Sequence, residues 1–275
     1  MTVEQQVARH YGHRDLEANI LAALKQAGKD VAHLTIDDLA GLDEFHLGWR
    51  EQTARLARDG QLSAGQHVLD IGSGIGGPAR YFAERHQCRV TGLDLTPEFV
   101  AAAEMLTQRC GLAGKASFKV GSALAMPFAA ESFDAACLIH VGMNIADKPA
   151  LFAETRRVLQ PGGRFAVYDV MATGDVPLTY PMPWSETPEM SFVASPARYR
   201  EWLKAAGFVL EAEHDRRDSV LEQVKAMRAR AAAEGPPVLG LHVIMGPQAK
   251  IRLQNVMAAL EQGHIAPIEM ILRAA

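Results

Sequence analysis

Short apolar runs and helically spaced apolar residues alternate along the central part of the chain. Strands are predicted at residues 67–71, 89–93, 116–120 and 134–139, and helices are predicted at residues 77–86 and 96–110. Strands that alternate with helices pair as parallel neighbours, because each helix carries the chain back across the sheet. The pattern therefore predicts an α/β protein with a doubly wound sheet.

The same alternation continues toward the C-terminus, but an irregular segment interrupts it. Helices are predicted at residues 148–159, 195–207 and 248–262, and strands at residues 164–169, 208–213 and 265–272. Residues 172–195 are instead rich in proline and have no steady period. Long segments of this kind are often functional, so we predict a lid or an insertion at about residues 172–195.

Helical spacing also marks the N-terminal part of the chain. Leu16, Ile20 and Leu24 recur on one face of a helix, well before the first predicted strand. We therefore predict a helical cap at residues 1–60 and a main domain at residues 61–275 that carries the lid.

Composition and charge narrow the classes of function. The chain has 275 residues, of which 48% are hydrophobic, and this is enough for a large core. Its formal net charge of −4 provides no basic surface for a phosphate backbone, so nucleic acid is not an expected partner. The three cysteines lack the spacing of a metal site, and we expect buried thiols in a reducing compartment.

Membrane and secretion signals are not recognisable in the sequence. No run of about 18 apolar residues occurs, so no membrane span is predicted. Glu4 and Gln5-Gln6 stand where a signal peptide needs an apolar stretch. Together with the cysteines, these features predict a cytoplasmic protein.

The most informative motif is the glycine-rich stretch at residues 68–77, which reads Val-Leu-Asp-Ile-Gly-Ser-Gly-Ile-Gly-Gly. Gly72, Gly74 and Gly77 satisfy the pattern G-x-G-x-x-G of dinucleotide-binding folds. With Gly76 in place of Gly77, the pattern G-x-G-x-G is satisfied equally well. Either pattern lets the backbone turn sharply and approach a ligand. The glycines alone therefore do not decide whether the ligand is a nicotinamide dinucleotide or S-adenosylmethionine.

Two carboxylates help to separate these cofactors. Asp70 stands at the strand end, directly before the turn. A carboxylate there suits the cationic amine of S-adenosylmethionine, whereas it would repel a pyrophosphate at the helix N-terminus. Asp94 lies 22 residues beyond Gly72, where it can accept hydrogen bonds from a ribose in either cofactor. Asp70 therefore favours the methyl donor.

A third landmark is the turn Pro161-Gly162-Gly163, which precedes the predicted fifth strand. Together with Asp70 and its glycines and with Asp94, this turn resembles the class I S-adenosylmethionine-dependent methyltransferase family. Residues 92–97 and 152–159 are similar to its small-molecule branch, which includes sarcosine/dimethylglycine, phosphoethanolamine and ubiquinone-type methyltransferases. The resemblance implies a Rossmann-like sheet, mostly parallel with an antiparallel last strand, and an enzyme that uses S-adenosyl-L-methionine.

The resemblance also implies positions for the methyl donor. Gly121-Ser122-Ala123 stand where the family places its adenine site, although an aspartate is usual at Ser122. Residues 43–50 resemble a segment that folds over the methionine end of the donor, and Tyr11 resembles an aromatic residue that caps the sulfonium. The complete predicted donor site is Tyr11, His46, Leu47, Gly48, Asp70, Gly72, Ser73, Gly74, Gly76, Asp94, Leu95, Ser122, Ala123 and His140.

Two histidines are the candidates for a catalytic role. His140 follows an apolar strand, at the carboxyl edge of the predicted sheet, where ligands bind in open α/β folds. It could line the donor pocket or act as a general base, because an imidazole titrates near neutrality. His46 is the second candidate. For both residues, a structural or surface role is the alternative.

The lid is predicted to contact the acceptor through Tyr180, Trp184 and Glu186, unless these side chains only pack the lid. An aromatic pair with one carboxylate suits a small organic molecule that is methylated at nitrogen or oxygen. We predict no metal, and the sequence leaves open whether the protein is a monomer or a homodimer. The alternative functions are a nicotinamide-dependent oxidoreductase and a non-catalytic S-adenosylmethionine-binding protein.

Overall fold

A seven-stranded β-sheet forms the centre of the protein. The computed structural model describes residues 1–12, 15–235 and 237–275. The strands are β1 (His67–Ile71), β2 (Arg89–Asp94), β3 (Ala116–Val120), β4 (Phe133–Ile139), β5 (Leu159–Ala172), β6 (Phe208–Asp215) and β7 (Ile265–Ala274). Their order is β3-β2-β1-β4-β5-β7-β6, in which β1 to β5 are parallel and β7 is antiparallel to both neighbours. The predicted sheet, mostly parallel with an antiparallel last strand, is confirmed.

Helices surround this sheet and precede it. They are α1 (Val3–Tyr11), α2 (Leu16–Gln26), α3 (Ile36–Leu39), α4 (Trp49–Asp59), α5 (Gly77–Arg85), α6 (Pro97–Arg109), α7 (Lys148–Val158), α8 (Pro196–Ala205), α9 (Arg217–Glu234), α10 (His242–Met245) and α11 (Ala249–Glu261). The first four lie before β1. Small polar side chains cap the N-termini of some helices. The hydroxyls of Thr2 and Ser195 accept hydrogen bonds from backbone N–H groups of α1 and α8, respectively.

The sequence predicted that the turn Pro161-Gly162-Gly163 precedes β5. In the structure this turn lies inside β5. The register of β5 against β4 shifts between Phe133 and Ala135, so the extra residues form a bulge in the strand. Gly162 has φ = +77°, a left-handed conformation that glycine adopts without strain. The strand is therefore longer than its apolar run.

Two connections between strands complete the fold. The lid was predicted at about residues 172–195, of which Ala172 ends β5. Residues 173–195 join β5 to α8 and contain a short 3-10 turn at Pro188–Met190. Helix α9 was not predicted, because its face toward the core is narrow and buries Val220 and Val224. Helices α9 to α11 lie between β6 and β7.

Apolar side chains pack against both faces of the sheet. Phe152 of α7 and Tyr199 of α8 belong to the cluster on one face, and Phe82 of α5 belongs to the cluster on the other. Leu69 and Val68, neighbours on β1, face these two clusters in turn. Strands buried on both faces read as continuous apolar runs, which is why the sequence pattern found them.

The sequence also predicted that the cysteines are buried thiols and that the chain has no membrane span. Cys88 and Cys137 are buried and Cys110 is half-buried, and all three are free thiols. In the ranges that the structure describes, no helix combines the length and the apolar character needed to cross a membrane.

Candidate active site

A cavity of about 1320 Å³ lies at the carboxyl ends of β1, β2 and β4. The strand order reverses between β1 and β4, and such a reversal leaves a crevice for a ligand at this edge of the sheet. Helices α1, α9 and α11 form further walls. Most of the predicted donor residues line the cavity: Tyr11, His46, Leu47, Asp70, Gly72, Ser73, Gly74, Asp94, Leu95, Ala123 and His140.

Asp70 near the end of β1 is a buried carboxylate at the cavity wall, with 1% of its surface exposed. Its Oδ1 accepts a hydrogen bond from the Cys137 thiol at 3.3 Å, while Oδ2 has no partner among the described residues. Burial raises the pKa of Asp70 to about 7, and the nearby charge of Asp94 acts in the same direction. Because a buried carboxylate oxygen without a partner is costly, Oδ2 favours a cationic ligand group at this site.

Asp94 at the end of β2 braces the glycine turn. Its Oδ2 accepts a hydrogen bond from the Gly74 N–H at 2.8 Å, and its Oδ1 accepts one from the Thr96 N–H at 2.9 Å. Burial raises the pKa of Asp94, and these backbone hydrogen bonds oppose that shift. Each oxygen keeps a further lone pair, so the carboxylate can still accept hydrogen bonds from ribose hydroxyls. The bracing contact had no signal in the sequence.

The glycines of the turn have different roles. Gly74 has φ = +53°, and a Cβ atom there would meet nothing within 4 Å. A Cβ atom on Gly72 would lie 2.3 Å from Val141, and one on Gly76 would lie 2.6 Å from Phe118. Gly74 therefore exposes backbone to a ligand, whereas packing requires Gly72 and Gly76. Gly76 was predicted as a donor contact, but it does not line the cavity.

His140 follows β4 in a left-handed backbone conformation, with φ = +54°. Its Nε2 accepts a hydrogen bond from the Leu47 N–H, and its Nδ1 donates one to the Tyr168 carbonyl, each at 3.2 Å. Burial and the charge of His46 lower the pKa of His140 to about 3. A pKa this low makes the imidazole a weak base near pH 7, and both of its nitrogens are already engaged, which argues against the predicted role as general base.

The segment before α4 is held by a buried ionic network. His46 Nε2 donates a hydrogen bond to Glu44 Oε2 at 2.9 Å, and Nδ1 donates one to the Leu47 carbonyl at 3.2 Å. Burial by itself would raise the pKa of Glu44, but the hydrogen bond from His46 and the charge of Arg50 hold it below its usual value. His46 thus fixes this segment at the cavity wall. Gly48, with φ = +86°, begins α4 and does not line the cavity.

Helix α1 covers one side of the cavity. The Tyr11 hydroxyl donates a hydrogen bond to Asn144 Oδ1 at 3.3 Å, and burial raises the pKa of this tyrosine, so the phenol is neutral. Ser122, which follows β3, donates a hydrogen bond to Glu4 of α1 and does not line the cavity. The structure thus uses Ser122 to attach α1 to the sheet edge, while the neighbouring Ala123 reaches the cavity.

Comparison with known proteins identifies the family. Residues 69–167 match a family model described as a methyltransferase domain. An O-methyltransferase from Aspergillus sclerotiorum is 31% identical over 183 residues, which are 66% of this chain and 68% of that protein. The chain belongs to the class I S-adenosylmethionine-dependent methyltransferase family. The chain is also 37% identical to a sterol 24-C-methyltransferase from Gibberella zeae over 118 residues, which are 43% of this chain and 31% of that relative. It thus spans about a third of the length of the sterol enzyme.

Solved structures show the same fold. The chain is similar to the 4+2 cyclase SpnF with a TM-score of 0.69 and 23% identity, over 98% of this chain and 96% of that chain. It is also similar to phosphoethanolamine N-methyltransferase 2 of Haemonchus contortus, solved with S-adenosyl-L-methionine. That comparison has a TM-score of 0.66 and 20% identity, over 84% of this chain and 54% of that chain.

The residues of this methyltransferase fit S-adenosylmethionine. Asp70 Oδ2 and Ser73 Oγ are buried polar atoms that have no partner among the described residues, and both residues line the cavity. Buried polar atoms in native proteins are almost always hydrogen-bonded, so these two indicate a polar ligand. A cationic amine satisfies the carboxylate, and the open space beside Gly74 admits the ligand close to the backbone.

The lid residues that were predicted to bind the acceptor divide into two groups. Trp184 lines the cavity and is 4% exposed. Glu186 instead pairs with Arg252 of α11 and lies 3.8 Å from His10 Nδ1. Tyr180 packs beside the buried cluster under the lid. Neither Tyr180 nor Glu186 lines the cavity, so both hold the lid in place.

Helices α9 and α11 form a wall of the cavity that the sequence pattern did not reveal as functional. Val224, Met227 and Ala231 of α9 and Leu253 and Met257 of α11 line this wall. Spacings of three, four and seven residues place each set on one helical face, and this periodicity is the signal that could have found them. However, this helical periodicity does not show that the wall lies beside the glycine turn, which is far away along the chain.

Proposed function

We propose that this methyltransferase transfers a methyl group from S-adenosylmethionine to a small organic acceptor, at oxygen or nitrogen. The observation that carries the proposal is the buried, unpaired Oδ2 of Asp70 at the cavity wall. A cationic amine would form a charge-assisted hydrogen bond with it. When bound, S-adenosylmethionine would supply a sulfonium methyl group: an acceptor lone pair would form a bond to the methyl carbon in line as the methyl–sulfur bond breaks and S-adenosylhomocysteine leaves.

Other cavity residues would hold the remaining parts of the donor. Asp94 would accept hydrogen bonds from the ribose, and the backbone at Gly74 would allow close approach. Leu95 and Ala123 would flank the adenine, since both line the cavity beyond β2 and β3. The neutral ring of Tyr11 would face the sulfonium, because an aromatic face attracts a cation.

The protein's part in the reaction is then alignment of the acceptor and exclusion of water. Trp184 and helix α1 cover the cavity and would do both. We assign positioning roles to His140 and His46. His140 binds the Leu47 N–H, and His46 is held by Glu44, so each keeps the segment before α4 against the cavity.

Isothermal calorimetry with S-adenosylmethionine and with NAD⁺ tests the donor. We expect binding of S-adenosylmethionine and none of NAD⁺, because Asp70 would repel a pyrophosphate. Absence of donor binding at millimolar concentration would reject the proposal, and NAD⁺ binding would favour an oxidoreductase. Mass spectrometry of an acceptor panel then tests transfer. Tight donor binding without any methylated product would favour the non-catalytic alternative.

We also propose a cytoplasmic location, which the buried free thiols Cys88 and Cys137 support, since thiols persist in reducing compartments. A homodimer stays a prediction that light scattering in solution tests.

A further inference from the structure

Apolar residues of α9, of α11 and of the range 237–241 between these helices line one wall of the cavity, and a polar methyl donor does not require an apolar wall. We define the helical wall as six residues: Val224, Met227, Val238, Leu241, Leu253 and Met257. All six are apolar and all line the cavity. The donor-binding edge of the sheet contributes carboxylates and glycines instead, so the cavity has two chemically different parts.

The cavity is also larger than one ligand needs. Its volume is about 1320 Å³, whereas pockets for a single drug-sized ligand measure roughly 300–1,000 Å³. S-adenosylmethionine is a ligand of that size. Space on the order of hundreds of Å³ is therefore left for a second molecule. The helical wall borders the same cavity as the sheet edge.

Two residues of the helical wall are exposed in spite of their apolar character. Met227 is 47% exposed and Val238 is 49% exposed. Exposed apolar side chains that share one cavity are typical of a binding site, because a ligand that covers them removes apolar surface from water.

The charged groups at this wall are largely paired with one another. Arg228 pairs with Glu261 at 2.9 Å, and Arg230 pairs with Glu234 at 2.8 Å. Lys250 also lines the cavity, at the exposed start of α11. An ionised acceptor placed against the six apolar residues of the helical wall would lose its hydration without gaining a charged partner among them.

We propose that the helical wall binds an uncharged, predominantly apolar acceptor that is larger than an amino acid or a phosphorylated amino alcohol. The inference rests on the proposed function, since it assigns the polar part of the cavity to the methyl donor. The acceptor's nucleophilic atom points toward the donor, and its apolar body lies against α9 and α11.

Fluorescence titration with N-phenyl-1-naphthylamine, an uncharged apolar probe, tests the inference. The full chain is first saturated with S-adenosylhomocysteine, so that the probe reports the remaining space. We expect saturable binding that Val238→Glu weakens about tenfold or more, because a charge is placed in the apolar contact. Met227→Glu should have a similar effect. Both residues are exposed, so the fold should tolerate these changes.

The matched control is Val209→Glu, the same substitution at a residue of β6 that is 44% exposed and does not line the cavity. It should leave probe affinity unchanged, and all three variants should keep S-adenosylhomocysteine affinity within about twofold. Equal losses in Val209→Glu and Val238→Glu would overturn the inference.

Two further outcomes separate this inference from the proposed function. S-adenosylhomocysteine binding without saturable probe binding rejects the apolar acceptor and leaves the methyltransferase function intact. Displacement of the probe by sarcosine or phosphoethanolamine also rejects it, because it shows a site for small ionised acceptors. Absence of S-adenosylhomocysteine binding overturns the proposed function and, with it, the inference.

Discussion

Among single residues, Asp70 couples donor binding to pH and stability. Burial raises its pKa from an ordinary value of 3.8 to about 7, so between these values the folded protein holds a proton that the unfolded chain has released. The contribution of Asp70 to the free energy of unfolding of the unliganded protein should therefore decrease as the pH rises from about 4 to 7. Donor affinity should rise around pH 7, because the ammonium group binds the ionised carboxylate.

Asp70→Asn should weaken S-adenosylmethionine binding by roughly 10- to 100-fold, since a charge-assisted hydrogen bond contributes about 1.5–3 kcal/mol. It should also remove the rise in affinity around pH 7 and raise the melting temperature of the unliganded protein at pH 8. Calorimetry at pH 6 and pH 8 and thermal unfolding measure these effects. Asp218→Asn is the control, because that side chain is 94% exposed. Unchanged affinity in Asp70→Asn would show that the amine binds elsewhere.

His140 offers a second test at the residue scale. Its pKa is lowered to about 3 and both nitrogens are engaged, so it should not ionise between pH 6 and pH 9. His140→Asn suits the left-handed backbone and keeps an acceptor for the Leu47 N–H. We expect this variant to keep the shape of the kcat profile against pH, while His140→Ala raises the KM for the donor. Loss of an ionisation near neutrality in either variant would restore the role of general base.

Among the elements, the lid depends on contacts with α1 and α11. Asn255 of α11 donates a hydrogen bond to the Pro181 carbonyl at 2.9 Å, and His10 of α1 lies 3.0 Å from the Pro183 carbonyl through Nε2. Glu186 adds an ion pair with Arg252, which is 8% exposed. The lid is thus held by helices at both ends of the chain.

Glu186→Gln should destabilise the protein by about 1–2 kcal/mol, because it leaves the buried Arg252 guanidinium without a charged partner. The exposed half of the Glu186 side chain keeps the effect below that of a fully buried pair. Urea unfolding measures the change, and limited proteolysis should cut the lid faster. Glu189→Gln, on an exposed residue of the same lid, should change neither. Identical behaviour of the two variants would exclude a latch at Glu186.

In the whole molecule, the cavity joins segments that are far apart along the chain. Tyr11, Asp70, His140 and Leu253 all line it, although they come from the first helix, two strand ends and the last helix. A ligand that contacts all of these segments should stabilise the fold as one unit, because it binds the folded state alone.

S-adenosylhomocysteine at about 100 times its Kd should stabilise the fold by about 2.7 kcal/mol. In a chain of this size, that free energy raises the melting temperature by roughly 5–10 °C. Differential scanning fluorimetry measures the shift, and NAD⁺ at equal concentration should cause none. A larger shift with NAD⁺ would favour the oxidoreductase.

The sequence by itself determined the elements whose signals are local. The predicted bounds of β1 and β3 match the structure. Four of the five residues of β1 are buried, whereas β3 alternates at its start between the buried Ala116 and Phe118 and the exposed Ser117 and Lys119. Both patterns are local signals of a strand. The positions of Asp70 and Asp94 at strand ends followed from those bounds, and parallel strands bring such ends to one edge of the sheet. The polar residues at the sheet edge of the cavity were therefore largely predictable.

Tertiary structure decided which side chains reach the cavity. Four residues that were predicted to bind the donor or the acceptor contact other parts of the protein instead: Gly76, Ser122, Tyr180 and Glu186. Likewise, α9 and α11 enter the cavity only because the chain folds back over the sheet edge. Such placements depend on contacts between distant segments, and local periodicity holds no information about them.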